Sequence, residues 1–138
     1  MPPQDQSENS TRLDKRILLV DDDPDTLTSV GDALRVLAGA DVVTATSGAD
    51  ALIKLGREKL EVLVTDYRMP GMDGIELCAK ARKMIRRLPI VMITAFNSDD
   101  LQDQAARAGI CEVIPKPPDL EDLVAAIRDC CQAAAAGA

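Results

Sequence analysis

Histidine and tryptophan are absent from these 138 residues, and the aromatics amount to one Tyr and one Phe. Without imidazole the chain cannot itself carry a phosphohistidine or use His as a general base. Four cysteines (Cys78, Cys111, Cys130, Cys131) form no Cys-x-x-Cys pair. With no His beside them, a structural zinc site is not expected, and the thiols read as reduced. No apolar run approaches the length of a membrane span. The opening Met-Pro-Pro-Gln-Asp-Gln-Ser-Glu-Asn-Ser lacks the apolar core of a signal peptide, so the expected location is cytoplasmic. Excess positive charge is lacking too. A net charge of −7 argues against nucleic acid as a direct ligand. The one basic run, Arg82, Lys83, Arg86 and Arg87, reads as the solvated face of a helix end.

What is present is enough for one globular domain with a proper core, at 46% hydrophobic and 28% charged residues. Residues 1–14 are polar and aperiodic and are expected to form a flexible tail. The domain is expected over 15–131, with 132–138 an alanine-rich tail or linker stub. Short apolar runs near 16–20, 41–45, 61–65, 90–94 and 111–115 have the character of parallel strands buried on both faces. Five amphipathic segments alternate with them. The first opens at Pro24 behind Asp23 as N-cap and bears Leu27, Val30, Leu34 and Leu37. The second follows Ser47 and carries Ala51, Leu52 and Leu55. The third, 74–85, turns Leu77, Ala81 and Met84 inward. The fourth, 99–108, has only Leu101, Ala105 and Ala108 and is expected to be the most mobile. The fifth follows Pro117-Pro118 with Leu120, Leu123, Val124, Ile127 and Cys131. Strict alternation implies an α/β fold, a doubly wound (βα)5 parallel sheet. Pro115 belongs at a sheet edge, which favours the flavodoxin-like strand order 2-1-3-4-5.

Four of the apolar runs deliver polar residues at the same end. Asp21, Asp22 and Asp23 follow Val20, Asp66 follows Thr65, Thr94 follows Ile93, and Lys116 follows Pro115. In such a sheet those ends lie side by side, where these folds place ligands. Converging carboxylates repel and call for a cation, and hard oxygen ligands suit Mg²⁺. A hydroxyl and an ammonium beside them suit phosphoryl oxygens. The set reads as a phosphoryl-transfer site with a carboxylate nucleophile.

The segments Ile17-Leu18-Leu19-Val20-Asp21-Asp22-Asp23-Pro24, Asp66-Tyr67-Arg68-Met69-Pro70-Gly71-Met72-Asp73-Gly74, Thr94-Ala95 and Lys116-Pro117 together resemble the receiver domain of the two-component response-regulator family. The resemblance spans about residues 15–131. It implies that Asp66 accepts a phosphoryl group from a phosphohistidine on a sensor histidine kinase or a histidine phosphotransfer protein. It further implies that Asp22, Asp66 and the backbone carbonyl of Arg68 hold Mg²⁺, with Asp21 acting mostly through water. Lys116 would contact the phosphoryl group, Thr94 would turn toward it, and Lys116-Pro117 would be a cis peptide. A receiver is a switch that promotes its own phosphorylation and dephosphorylation rather than an ordinary enzyme. Its expected partners are the phosphodonor and a downstream protein target, with no direct nucleic acid, no membrane, and a monomeric or weakly homodimeric state.

The chain departs from the family at Val113, where many receivers carry an aromatic rotor. Phe96 and Arg68 occupy positions that, in the family, border the path of the hydrolytic water. Three other readings stand beside this one. An unphosphorylated docking adaptor has no reason to keep Asp21, Asp22, Asp66, Thr94 and Lys116. A haloacid-dehalogenase-like phosphatase places its nucleophile in Asp-x-Asp after the first strand and usually adds a cap. A flavodoxin-type carrier needs a Ser/Thr-rich phosphate loop and aromatics for its flavin. Asp23, Asp25 and Asp73 read as helix-start residues, and Cys111 as a small buried hydrophobe in the fifth strand.

Overall fold

A computed structural model describes residues 12–136. Five parallel strands form one sheet: β1 (Arg16–Val20), β2 (Asp41–Ala45), β3 (Val62–Asp66), β4 (Ile90–Thr94) and β5 (Glu112–Pro115). The helices between and after them are α1 (Pro24–Ala38), α2 (Gly48–Arg57), α3 (Gly74–Met84), α4 (Asp99–Arg107) and α5 (Leu120–Ala136). The strand order is β2-β1-β3-β4-β5, which puts Pro115 on an edge strand as expected.

Residue period 2 in the strands divides the core in two. Ile17 and Leu19 of β1 join the cluster under α1 and α5, with Leu34, Val64, Ile93, Leu123 and Ile127. Leu18 and Val20 face the other way, with Leu63, Leu77, Ile90 and Met92 under α2, α3 and α4. Side chains covered on both faces explain the unbroken apolar runs.

The helix starts are chemically specified. Asp23 caps α1 by accepting from the Asp25 N–H, and Ser47 caps α2 by accepting from the Asp50 N–H. Asp73 and Glu76 make a reciprocal capping box at α3. Asp73 is therefore a cap, as the sequence indicated.

Several expected details are corrected. Leu37 and Met84 are exposed rather than inward. Cys130, not Cys131, is the fully buried member of its pair on α5. Cys111 is exposed and precedes β5. It is bonded to Cys130 across a Cα–Cα distance of 5.8 Å, so these two thiols are not the reduced ones expected. Arg82 is not merely solvated: its guanidinium donates to the carbonyls of Arg86, Leu88 and Gly109. The expected tail, residues 1–14, lies outside the described residues through residue 11. Leu13, within its last part, is buried and donates its N–H to the Ala38 carbonyl at 2.7 Å. At the other end α5 continues to Ala136, and residues 137–138 lie outside the described residues. No helix among the described residues is long and apolar enough to cross a membrane.

Candidate functional site

Register builds the site. β1 pairs β3 with Val20 opposite Thr65, so the next residues along the two chains are Asp21, just past β1, and Asp66, the last residue of β3. β4 pairs β5 with Thr94 opposite Pro115, and the Lys116 N–H donates to the Thr94 carbonyl at 2.9 Å. The C-terminal ends of β1, β3, β4 and β5 thus bring four chemistry-bearing positions together.

The Lys116 Nζ donates to Asp21 Oδ2 at 2.8 Å and to Asp66 Oδ2 at 3.1 Å. Asp21 is wholly buried and Asp66 nearly so. Backbone amides hold the other carboxylate oxygens. The Asp23 N–H donates to Asp21 Oδ1 at 2.9 Å, and the Tyr67 N–H to Asp66 Oδ1 at 2.7 Å. One carboxylate oxygen of each acid is therefore pinned by the main chain and the other accepts from the Lys116 ammonium.

Burial raises the Asp66 carboxyl above the usual carboxylate range, and the Asp21 charge adds to it, against the pull of Lys116 and the Tyr67 N–H. Burial works to lower Lys116, but its hydrogen bonds to Asp21 and Asp66 outweigh that and raise it. The two groups thus rise for different causes, Asp66 chiefly through burial and Lys116 through its two carboxylate partners. The site holds more negative charge than Lys116 neutralises.

That surplus fits a divalent cation. Asp21, Asp22 and Asp66 each offer an oxygen, and these lie within 4.8 Å of one another. Asp22 is exposed, and with Tyr67, Arg68, Met69, Pro70 and Asp73 it lines a cleft of about 450 Å³. The donors are hard oxygens on an open cleft, which suits Mg²⁺ with water left in its shell.

Thr94 is buried, and its Oγ accepts from the Phe96 N–H at 3.0 Å. Phe96 is half exposed, and the Arg68 guanidinium carbon sits 4.2 Å from its ring centroid. The two side chains come from the loops after β4 and β3, and Arg68 also lines the cleft beside Asp22. The family resemblance had marked both residues together. Their contact was not legible, because loops from two strands create it. Gly74, which the sequence marked only as the end of the motif after Asp66 and the start of the third helix, is a further positioning residue. A Cβ there would lie 2.3 Å from the Asp66 carbonyl, so only glycine lets α3 start this close to the acid. The Lys116–Pro117 peptide is cis.

Residues 17–128 match the model of the response regulator receiver domain, and the chain belongs to that family. It is thus a receiver domain of two-component response regulators. It is 40% identical over 114 residues to the transcriptional regulatory protein GlrR of Escherichia coli (strain K12), covering 82% of this chain and 25% of that protein. It is 37% identical over 122 residues to an uncharacterized 14.6 kDa protein of Leptolyngbya boryana, covering 85% of this chain and 90% of that one. Among solved structures, a CheY-like receiver domain protein from Methanospirillum hungatei JF-1 superposes with a TM-score of 0.83 at 29% identity, covering 91% of this chain and all of that one. The chain spans about a quarter of the length of GlrR.

Proposed function

We propose that this receiver domain accepts a phosphoryl group on Asp66 from a phosphohistidine of a sensor histidine kinase or a histidine phosphotransfer protein. The observation that carries the reading is the Lys116 ammonium bridging Asp21 and Asp66, with Thr94 on the adjacent strand. A carboxylate oxygen of Asp66 attacks phosphorus, an O–P bond forms, and the N–P bond to the donor imidazole breaks. Lys116 is held where it can follow the transferred oxygens. Thr94 supplies a hydroxyl from the next strand, and the Tyr67 N–H keeps the carboxylate aimed. Asp21, Asp22, Asp66 and the backbone carbonyl of Arg68 would hold Mg²⁺. When bound, the metal neutralises the acids and the phosphoryl oxygens so that two anions can meet.

Water attack on phosphorus later breaks the O–P bond, releases orthophosphate and restores the carboxylate. The domain therefore turns over only its own phosphoryl group, as a switch rather than an ordinary enzyme. It acts in the cytoplasm, as a monomer or weak homodimer, by altering contacts with a downstream protein target and not with nucleic acid directly. Val113 stands where many receivers have an aromatic, so the signal passes without a rotating ring at that position. An unphosphorylated docking adaptor is not favoured, since no part of the acid, hydroxyl and lysine set is missing.

Intact mass after incubation with acetyl phosphate tests the reading. The expected result is a Mg²⁺-dependent gain of one phosphoryl group that Asp66→Asn abolishes. No gain in the wild-type protein under either condition would transfer the assignment to the adaptor.

A further inference from the structure

At the far end of β5 from Lys116, the Cys111–Cys130 bond lies in a cleft of about 300 Å³. Its walls include Arg82, Arg86 and Arg87, and no acidic residue lines it. Among the described residues none of these three arginines is ion-paired with a carboxylate. In a chain of net charge −7 this is an isolated basic recess. The two sulfurs are unequal: Cys111 is exposed and Cys130 is buried. The approach to Cys111 is built rather than floppy. Gly109 adopts φ 84°, a left-handed turn suited to glycine, and its carbonyl takes a hydrogen bond from Arg82.

We propose that Cys111–Cys130 is a reversible redox site, opened at Cys111 by an anionic low-molecular-weight thiol that Arg86 and Arg87 attract. The proposal rests on the cytoplasmic reading above in one respect. In a reducing compartment, hyperthermophiles apart, a disulfide is usually transient, and catalytic or redox-sensing, rather than structural. The thiolate of the small molecule attacks Cys111 Sγ and forms a mixed disulfide. The Cys111–Cys130 bond breaks, and Cys130 leaves with the electron pair and takes a proton from solvent. A second small thiol attacks the mixed disulfide, releasing the oxidised dimer of the reagent and the Cys111 thiol. Two electrons pass from the reagent to the protein. The bridge closes a segment with a sequence separation of 19 that contains β5, Lys116 and most of α5. Opening it removes the covalent tie between α5 and the residue that precedes the edge strand β5.

The remaining cysteines allow a clean count. Cys78 is buried, which pushes its thiol up to about 12, and Cys131 is half-buried. Protein prepared without reductant is denatured in alkylating agent and weighed. Two alkylations are expected, with a peptide joining Cys111 to Cys130, whereas four alkylations overturn the proposal. Opening is then timed with glutathione, a net anion, and with uncharged 2-mercaptoethanol, on wild type and on Arg86→Ser/Arg87→Ser. The double variant and high salt should each slow glutathione severalfold and leave 2-mercaptoethanol within a factor of about two, as screening of a local charge requires. Equal slowing of both reagents overturns the role of the arginines. Cys111→Ser, which keeps every arginine, should unfold at the lower urea midpoint of reduced wild type, and a midpoint matching the oxidised protein overturns the clamp. Phosphoryl gain with acetyl phosphate is read on the same mass spectra. A failed receiver and a failed redox site are therefore separate results.

Discussion

Arg68, which lines the cleft beside Asp22, meets Phe96, and the family resemblance implies that both border the path of the hydrolytic water. At this degree of exposure a cation–π contact contributes only about 0.5–1 kcal/mol, so its removal should leave the fold intact. Its expected kinetic weight is larger, because Phe96 fixes an arginine that lines the cleft beside Asp22. Replacing both residues with alanine should shorten the phosphoaspartate lifetime severalfold. The check is the decay of the phosphorylated mass after the phosphodonor is removed, and an unchanged half-life would sink the idea. At this scale the site was largely legible in advance. Asp21, Asp66, Thr94 and Lys116 each end an apolar run, and parallel strands turn that sequence coincidence into proximity. The main-chain donors at Asp23 and Tyr67 and the demand for glycine at position 74 were not legible. They depend on backbone directions that no residue type announces.

The elements differ in how firmly they are held. α1 buries Leu27, Val30, Gly31, Leu34 and Ala38, whereas α4 buries only Leu101 and Ala105. Fully burying one Leu-sized side chain stabilises by roughly 1.5–3 kcal/mol, so α4 has far less to lose by opening locally. Native-state hydrogen exchange read by mass spectrometry should find the α4 amides exchanging fastest among the five helices. Slower exchange in α4 than in α1 would contradict the packing argument. The misplaced helix residues have a geometric cause. At about 100° per residue, Leu37 lies roughly 80° off the direction of Leu27 while Ala38 returns to it. Size suggested Leu37 for the core, but phase selected Ala38. Cys130 and Cys131 differ for the same reason, with Cys130 nearer the direction of Leu123 and Ile127. Met84 has the right phase but stands in the last turn of α3, where it reaches toward Gly56 instead of the sheet. Strand positions were legible to within one residue, since continuous burial leaves composition as a clear signal. The disulfide was not, because nothing in the spacing of Cys111 and Cys130 reveals that β5 and α5 lie side by side.

For the molecule as a whole, the fold gathers negative charge at one edge of the sheet in a chain already at −7. Asp21 and Asp66 are buried around a single ammonium, with Asp22 beside them. Folding must therefore work against repulsion that the unfolded chain escapes. A cation that binds only the folded state offsets this by mass action, by about 2.7 kcal/mol at one hundred times its dissociation constant. Mg²⁺ should accordingly raise the thermal midpoint well beyond NaCl of equal ionic strength, because screening acts weakly on partly buried charges. Asp22→Asn separates the two contributions. It removes one repelling charge at an exposed position, so the variant should melt no lower than wild type without divalent cation. It also removes one oxygen donor of the cluster, so most of the Mg²⁺-dependent rise should disappear. Differential scanning calorimetry in EDTA, MgCl₂ and matched NaCl measures both effects. An equal Mg²⁺ shift in wild type and variant would mean that the ion stabilises the protein somewhere other than this edge of the sheet.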